Sequence, residues 1–175
     1  MHSGRYRLVS AGRDGTAVGG TGSDVTRDCR TVAFTSTAPA LAARGVAAGT
    51  AAAFARDLRR DRLVRLSRRA SGRPLTRSVS DVHLSARGDV ASFSTDDAGV
   101  VRGDTNATVD VFTRRLRTGT VRRVSLTTSG EQLAGRSSGS KLSRDGRSVA
   151  FLTRGAVPGA DPVDTFGFVR GPAPR

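Results

Sequence analysis

The residues best equipped for chemistry lie in "GDTNATVD" (103–110), where Asp104, Asn106 and Asp110 gather oxygen-bearing side chains in one short stretch. Such a set suits a hard cation such as Ca²⁺, which binds through oxygen ligands alone. The spacing is not that of an EF-hand, because the glycine and glutamate that such a loop requires are both missing. Two readings stay open: a weak Ca²⁺ site, or Asx turns in which Asp and Asn side chains cap the backbone of a tight loop. No other cofactor is expected. Within the wider loop "TDDAGVVRGDTNAT" (95–108), Asp96, Asp97, Arg102, Asp104, Thr105 and Asn106 are the candidate contacts for a binding partner.

Other chemistry finds less support. A nucleophilic triad needs nucleophile, base and orienting group within mutual reach, and only His2 and His83 could supply an imidazole. His2 stands at the terminus, and His83 sits inside a strand-like run, away from any G-x-S-x-G elbow. The single cysteine, Cys29, excludes an internal disulfide and occupies a turn position. Cys and His do not cluster as zinc ligands, no phosphate-binding glycine loop is present, and no enzyme activity is expected. The Arg-rich run "RDLRRDRLVRLSRRASGR" (56–73) could attract a polyanion. It also holds Asp57 and Asp61 and lacks the aromatic rings that stack bases.

Stepping outward, the chain of 175 residues is long enough for one domain. Its 12 Leu, 19 Val and 7 Phe, with no Ile, make only about 22% of the residues, so any core is thin and rich in Val and Ala. Such a core suits short strands, because β-branched residues pack well on a pleated surface. The net charge of +14 comes from 28 Arg and one Lys, Lys141. That skew fits GC-rich coding better than a phosphate-binding surface, where Lys serves well as a point charge. No stretch reaches the roughly 18–20 apolar residues of a membrane span, and the N-terminus lacks the apolar run of a secretory signal.

A period organises the whole. Phe34, Phe93 and Phe151 are separated by 59 and 58 residues, Ser10, Ser67 and Ser125 by 57 and 58, and Phe54 and Phe112 by 58. The turn "SRDGR" (143–147) recurs as "SARGD" (85–89) and "TRDCR" (26–30). In the middle copy, 78–85, 90–95, 109–116 and 121–127 read as four strands separated by turns at 86–89 and 117–120 and by the long loop. Four antiparallel strands per repeat are the content of one β-propeller blade. The blades fall roughly at 11–67, 68–125 and 126–170, and residues 5–10 read as an extra fourth strand. The Ala-rich stretch 38–60 has helical propensity, yet the repeat register assigns a loop and then a strand ending near Phe54. Where two copies place Gly in the turn, the first has Cys29, which would hold a left-handed backbone at a cost of roughly 1 kcal/mol.

The run "S-x-D-G-R-x-V-A-F" (143–151), with "V-x-G-D-T-N-x-x-x-D-V-F" (101–112) and "T-G-T-x-R-R-V-S" (118–125), resembles the repeat of TolB-like (WD-repeat-like) β-propellers. The resemblance implies an all-β, partial propeller of three blades and a non-catalytic scaffold that binds a protein partner. It also implies a periplasmic or extracellular parent protein. Closed propellers use 4–8 blades, so three copies suggest either a piece of a larger propeller or a homodimer that completes one. A nucleic-acid-binding module driven by the arginines, and a remnant of a propeller hydrolase, are the alternative readings.

Overall fold

Each copy folds into an antiparallel meander because its Val-, Phe- and Thr-containing runs alternate between two faces and are cut by Gly and Asp turns. The computed structural model describes residues 6–12, 14–155, 161 and 164–171; His2 and Arg5 lie outside them. The first sheet comprises β1 (Thr21–Val25), β2 (Thr31–Ser36), β3 (Ala52–Asp57) and β4 (Arg62–Arg65). The second comprises β5 (Ser80–Leu84), β6 (Val90–Thr95), β7 (Asp110–Arg115) and β8 (Val121–Arg123). The third holds β9 (Ser137–Leu142), β10 (Val149–Arg154) and β11 (Thr165–Arg170). In each sheet sequence neighbours pair, and no α-helix occurs among the described residues.

The phenylalanine period has a geometric cause. Phe34 pairs with Phe54, Phe93 with Phe112 and Phe151 with Phe168 across neighbouring strands. Their rings stack with centroids 5.5, 5.8 and 5.7 Å apart. Each pair projects from one face of its sheet. Phe93 and Phe112 press onto Ala33, Ala53 and Ala55 of the first sheet, while Phe151 and Phe168 meet Val111 and Val124 of the second. The alanines that suggested a helix are therefore there to let two sheets approach. The conflict over 38–60 resolves as a single 3₁₀ turn at Pro39–Leu41 followed by β3, which continues past Phe54 to Asp57.

The turn that repeats is built from side chains. Thr26, Ser85 and Ser143 hydroxyls accept from the amides of Thr31, Val90 and Ser148. Asp28 and Asp145 accept the Thr26 and Ser143 hydroxyls at 2.8 Å and the amides of Arg30 and Arg147. Cys29, Gly88 and Gly146 all take positive φ, at 54°, 74° and 68°. Glycine there meets a second demand. A Cβ on Gly88 would sit 2.9 Å from Thr26 Cγ2 of the first sheet, and one on Gly146 would sit 2.8 Å from Val90 Cγ2 of the second. Cys29 is exposed, which explains how a side chain is tolerated at its position.

An arginine joint also recurs. Arg56 and Arg114 are buried, and each sends its guanidinium to backbone carbonyls of the segment that leads into its own sheet: Arg56 to Val9 and Ala11, Arg114 to Arg68 and Arg69. Arg170 reaches Leu126 and Thr127 in the same way, at 3.4 Å. Ala11, Arg68 and Leu126 also make matching isolated bridges, to Ala17, Pro74 and Gln132. One expectation fails here. Residues 6–9 form no strand; Tyr6 and Leu8 are exposed and Arg7 instead bonds Leu58 and Asp61, so the predicted strand at 5–10 has no sheet to join among the described residues.

Candidate binding loop

The loop between β6 and β7 is pinned at both ends by carboxylates that the fold has buried. Asp97, with 2% of its side chain exposed, accepts the Thr76 amide and hydroxyl, the Arg77 amide and the Gly99 amide, and Arg69 approaches at 3.4 Å. Burial alone would raise this carboxyl, but those donors outweigh it and hold it below the ordinary carboxylate range. Gly99 leaves the space in which the Arg69 guanidinium lies. Val100, fully buried in the joint between the first two sheets, fixes the loop once more.

At the other end, the three residues read as a cation site do converge, and the cation between them is an arginine. Arg123 from β8 lies 2.8 Å from Asp104 Oδ1, and its Nε is 3.7 Å from Asp110 Oδ2. The guanidinium also reaches Gln132 and sits over the Phe112 ring, 5.9 Å from its centroid. Asp110 accepts the Ser125 hydroxyl, and Asn106 donates to the Leu133 carbonyl at 3.0 Å. Burial pushes the Asp110 carboxyl up, against the opposing pull of Ser125, Arg123 and Asn106. One guanidinium held in the fold thus faces both carboxylates and offsets one of their two charges. No group of three or more His, Cys, Asp or Glu suited to a metal occurs among the described residues.

Between these anchors the loop offers few side chains to solvent. Thr105 is exposed but tied to Gln132 through its amide at 3.1 Å and its hydroxyl at 2.7 Å. Of the six candidate contacts, Asp97, Asp104, Thr105 and Asn106 hold the loop in place. Asp96 and Arg102 are exposed. The distinction was invisible in the sequence, where all six are polar residues in one loop.

A second constellation escaped the sequence reading altogether. Asp24, His83 and Lys141 stand at corresponding positions of β1, β5 and β9, the first strand of each sheet. His83 Nδ1 is 3.4 Å from Asp24 Oδ2, and Lys141 Nζ lies 3.4 and 3.2 Å from the two ring nitrogens. Asp24 also accepts the Leu84 amide at 3.0 Å. The signal was the same period that marks the phenylalanines. The row ties neighbouring sheets together, and the bonds of the imidazole are to Asp24 and Lys141 rather than to a serine or cysteine.

Comparison with known proteins agrees with this architecture. No family model and no curated protein matches the chain. Among solved structures, an Agrobacterium tumefaciens protein described as a TolB superposes over 89% of this chain and 46% of its own, with TM-score 0.55 and 14% identity. TolB from Acinetobacter baumannii superposes over 89% and 30%, with TM-score 0.52 and 14% identity. The fold is therefore TolB-like and of the propeller type, as the repeat implied. The chain spans less than half the length of either structure, so the likeness covers part of a propeller.

Proposed function

We propose that the chain is a non-catalytic β-propeller scaffold that binds a protein partner through the loop at 95–108. One observation carries this reading: a long loop clamped at both ends by buried Asp97 and by the Asp104–Arg123–Asp110 cluster presents Asp96 and Arg102 in fixed positions. Holding contact groups in place before binding removes much of the ordering cost that association otherwise carries, and loops on a rigid scaffold are where binding residues concentrate. A photo-crosslinking residue placed at Ala98 tests it. Discrete protein adducts should form and should disappear on Asp96→Arg or Arg102→Glu, with the melting temperature unchanged. Adducts indifferent to both charge reversals would contradict the reading.

A second copy is the other partner that an observation favours. The outer face of the third sheet exposes Leu152 and Val169, at 47% and 76%, beside Ala150 and Gly167. The corresponding face of the first sheet is Ala33, Ala53 and Ala55, which lies buried under its neighbour. A monomer by sedimentation at micromolar concentration would reject self-association through this face.

A further inference from the structure

The repeat lets one blade serve as the reference for another, and the comparison isolates a guanidinium that lacks its acid. Arg65 in β4 corresponds to Arg123 in β8. Both lie over the phenylalanine of the adjacent strand, Arg65 at 5.5 Å from Phe54 and Arg123 at 5.9 Å from Phe112. The serines two residues on make the same bond, Ser67 accepting from Ala53 and Ser125 from Val111, each at 3.2 Å. Around Arg123 the repeat supplies Asp104 and Asp110; the matching residues around Arg65 are Val46 and Ala52. Arg65 instead donates to the carbonyls of Leu41 and Ser67, at 3.1 and 3.4 Å.

The space left beside it is a cleft of about 570 Å³ whose walls include Leu41, Phe54, Leu63, Arg62 and Arg68, and no carboxylate lines it. Among the described residues, none of Arg62, Arg65 and Arg68 makes an ion pair. The neighbouring Arg68 adds like charge, and burial together with that charge lowers the Arg65 pKa. A partly buried cation without a counter-charge is costly, and supplying the missing partner recovers that cost. Phe54 is itself buried, so the cleft offers no open ring for stacking a nucleobase. The lining mixes Leu41, Leu63 and Phe54 with the guanidinium groups of Arg62, Arg65 and Arg68, which suits a carboxylate on a peptide.

We infer that this cleft binds an acidic segment of a protein partner, which places in trans the carboxylate that Gly103–Asn106 places in cis beside Arg123. The inference rests on the interaction-scaffold reading and gives it a second site and a ligand chemistry. The probe is the capped tetrapeptide acetyl-Gly-Asp-Thr-Asn-amide, titrated into the whole chain and followed by ¹H–¹⁵N NMR. Saturable shifts are expected for the Arg65 Nε–Hε group and the Leu41 and Leu63 amides. Weakening of about tenfold or more, equivalent to about 1.4 kcal/mol, is expected for the Asn-for-Asp peptide and for Arg65→Gln. Val46→Asp, at a half-buried loop position, should weaken the peptide similarly by supplying an internal carboxylate while leaving the melting temperature intact. The inference is overturned if both peptides bind alike, if Arg65→Gln binds unchanged, or if sodium acetate saturates the same resonances at equal concentration. It is also overturned if a single-stranded oligonucleotide occupies the cleft more tightly at physiological salt. Crosslinking through the 95–108 loop does not involve Arg65, so it can succeed while this site fails.

Discussion

Gly146→Ala probes the joint between the second and third sheets more sharply than any truncation of the core. The residue sits at φ 68°, and an added Cβ would stand 2.8 Å from Val90 Cγ2 and 3.0 Å from Val90 Cβ. The left-handed backbone costs an L-residue about 1–2 kcal/mol, and overpacking a tight contact costs about 1–3 kcal/mol more. Gly130→Ala is the control: its φ is 91°, and nothing lies within 4 Å of the Cβ position. Both substitutions restrict the unfolded chain equally, so their difference reports the sheet-to-sheet approach alone. That difference should be about 1–3 kcal/mol, or roughly 2–10 °C of melting temperature for a chain of this size. Thermal and urea unfolding followed by circular dichroism measure it. Cys29→Gly, at the exposed turn with φ 54°, should move the other way, by about 1 kcal/mol. Equal losses for Gly146→Ala and Gly130→Ala would refute the idea that the turn glycines serve blade packing.

Further outcomes follow from the buried charges. Arg123→Ala should destabilise by about 3–5 kcal/mol because Asp110 is left buried without its partner, and millimolar Ca²⁺ should leave the melting temperature of the unaltered chain unchanged. Arg114, whose pKa burial and the nearby Arg68 lower to about 10, bonds carbonyls of the segment that leads into its own sheet; Arg114→Leu should cost about 1.5–3 kcal/mol in urea unfolding. In acid, Asp97, Asp28 and Asp145 have folded-state pKa values below 3.8, so the unfolded chain takes up their protons first. Stability from these groups is full above 3.8 and is lost as pH falls through the folded values. Asp110, raised by burial, acts oppositely and loses stability as pH rises from 3.8 through its folded value. Asp97→Asn should therefore flatten the acid limb of the stability curve.

Much of the fold was legible because one signal, the period near 58, is written in residues with a single job. Phe34, Phe93 and Phe151 mark the same ring stack, and Thr26, Ser85 and Ser143 the same turn. The candidate loop was legible only in outline. That Asp97 is an internal clamp and Asp96 a surface group depends on where Thr76 and Gly99 come to lie, some 20 residues upstream or just beyond. The cation among Asp104, Asn106 and Asp110 was likewise unreadable, since Arg123 reaches them only through the pairing of β7 with β8. Arg56, Arg114 and Arg170 share the phenylalanine period, yet they were lost among 28 arginines whose abundance looked compositional. Residues 6–9 form no strand, because a strand needs a partner edge and among the described residues they pair with none.

Native-state hydrogen exchange tests the stacking of the sheets most directly. Among the described residues the second sheet packs against both of the others, with Phe93, Val111 and Phe112 fully buried, whereas the third leaves Leu152 and Val169 open to water. Amides that open only on global unfolding exchange slowest, so those of β6 and β7 should be the most protected and those shared by β10 and β11 measurably less so. Equal protection in all three sheets, or greatest protection in the third, would contradict the account.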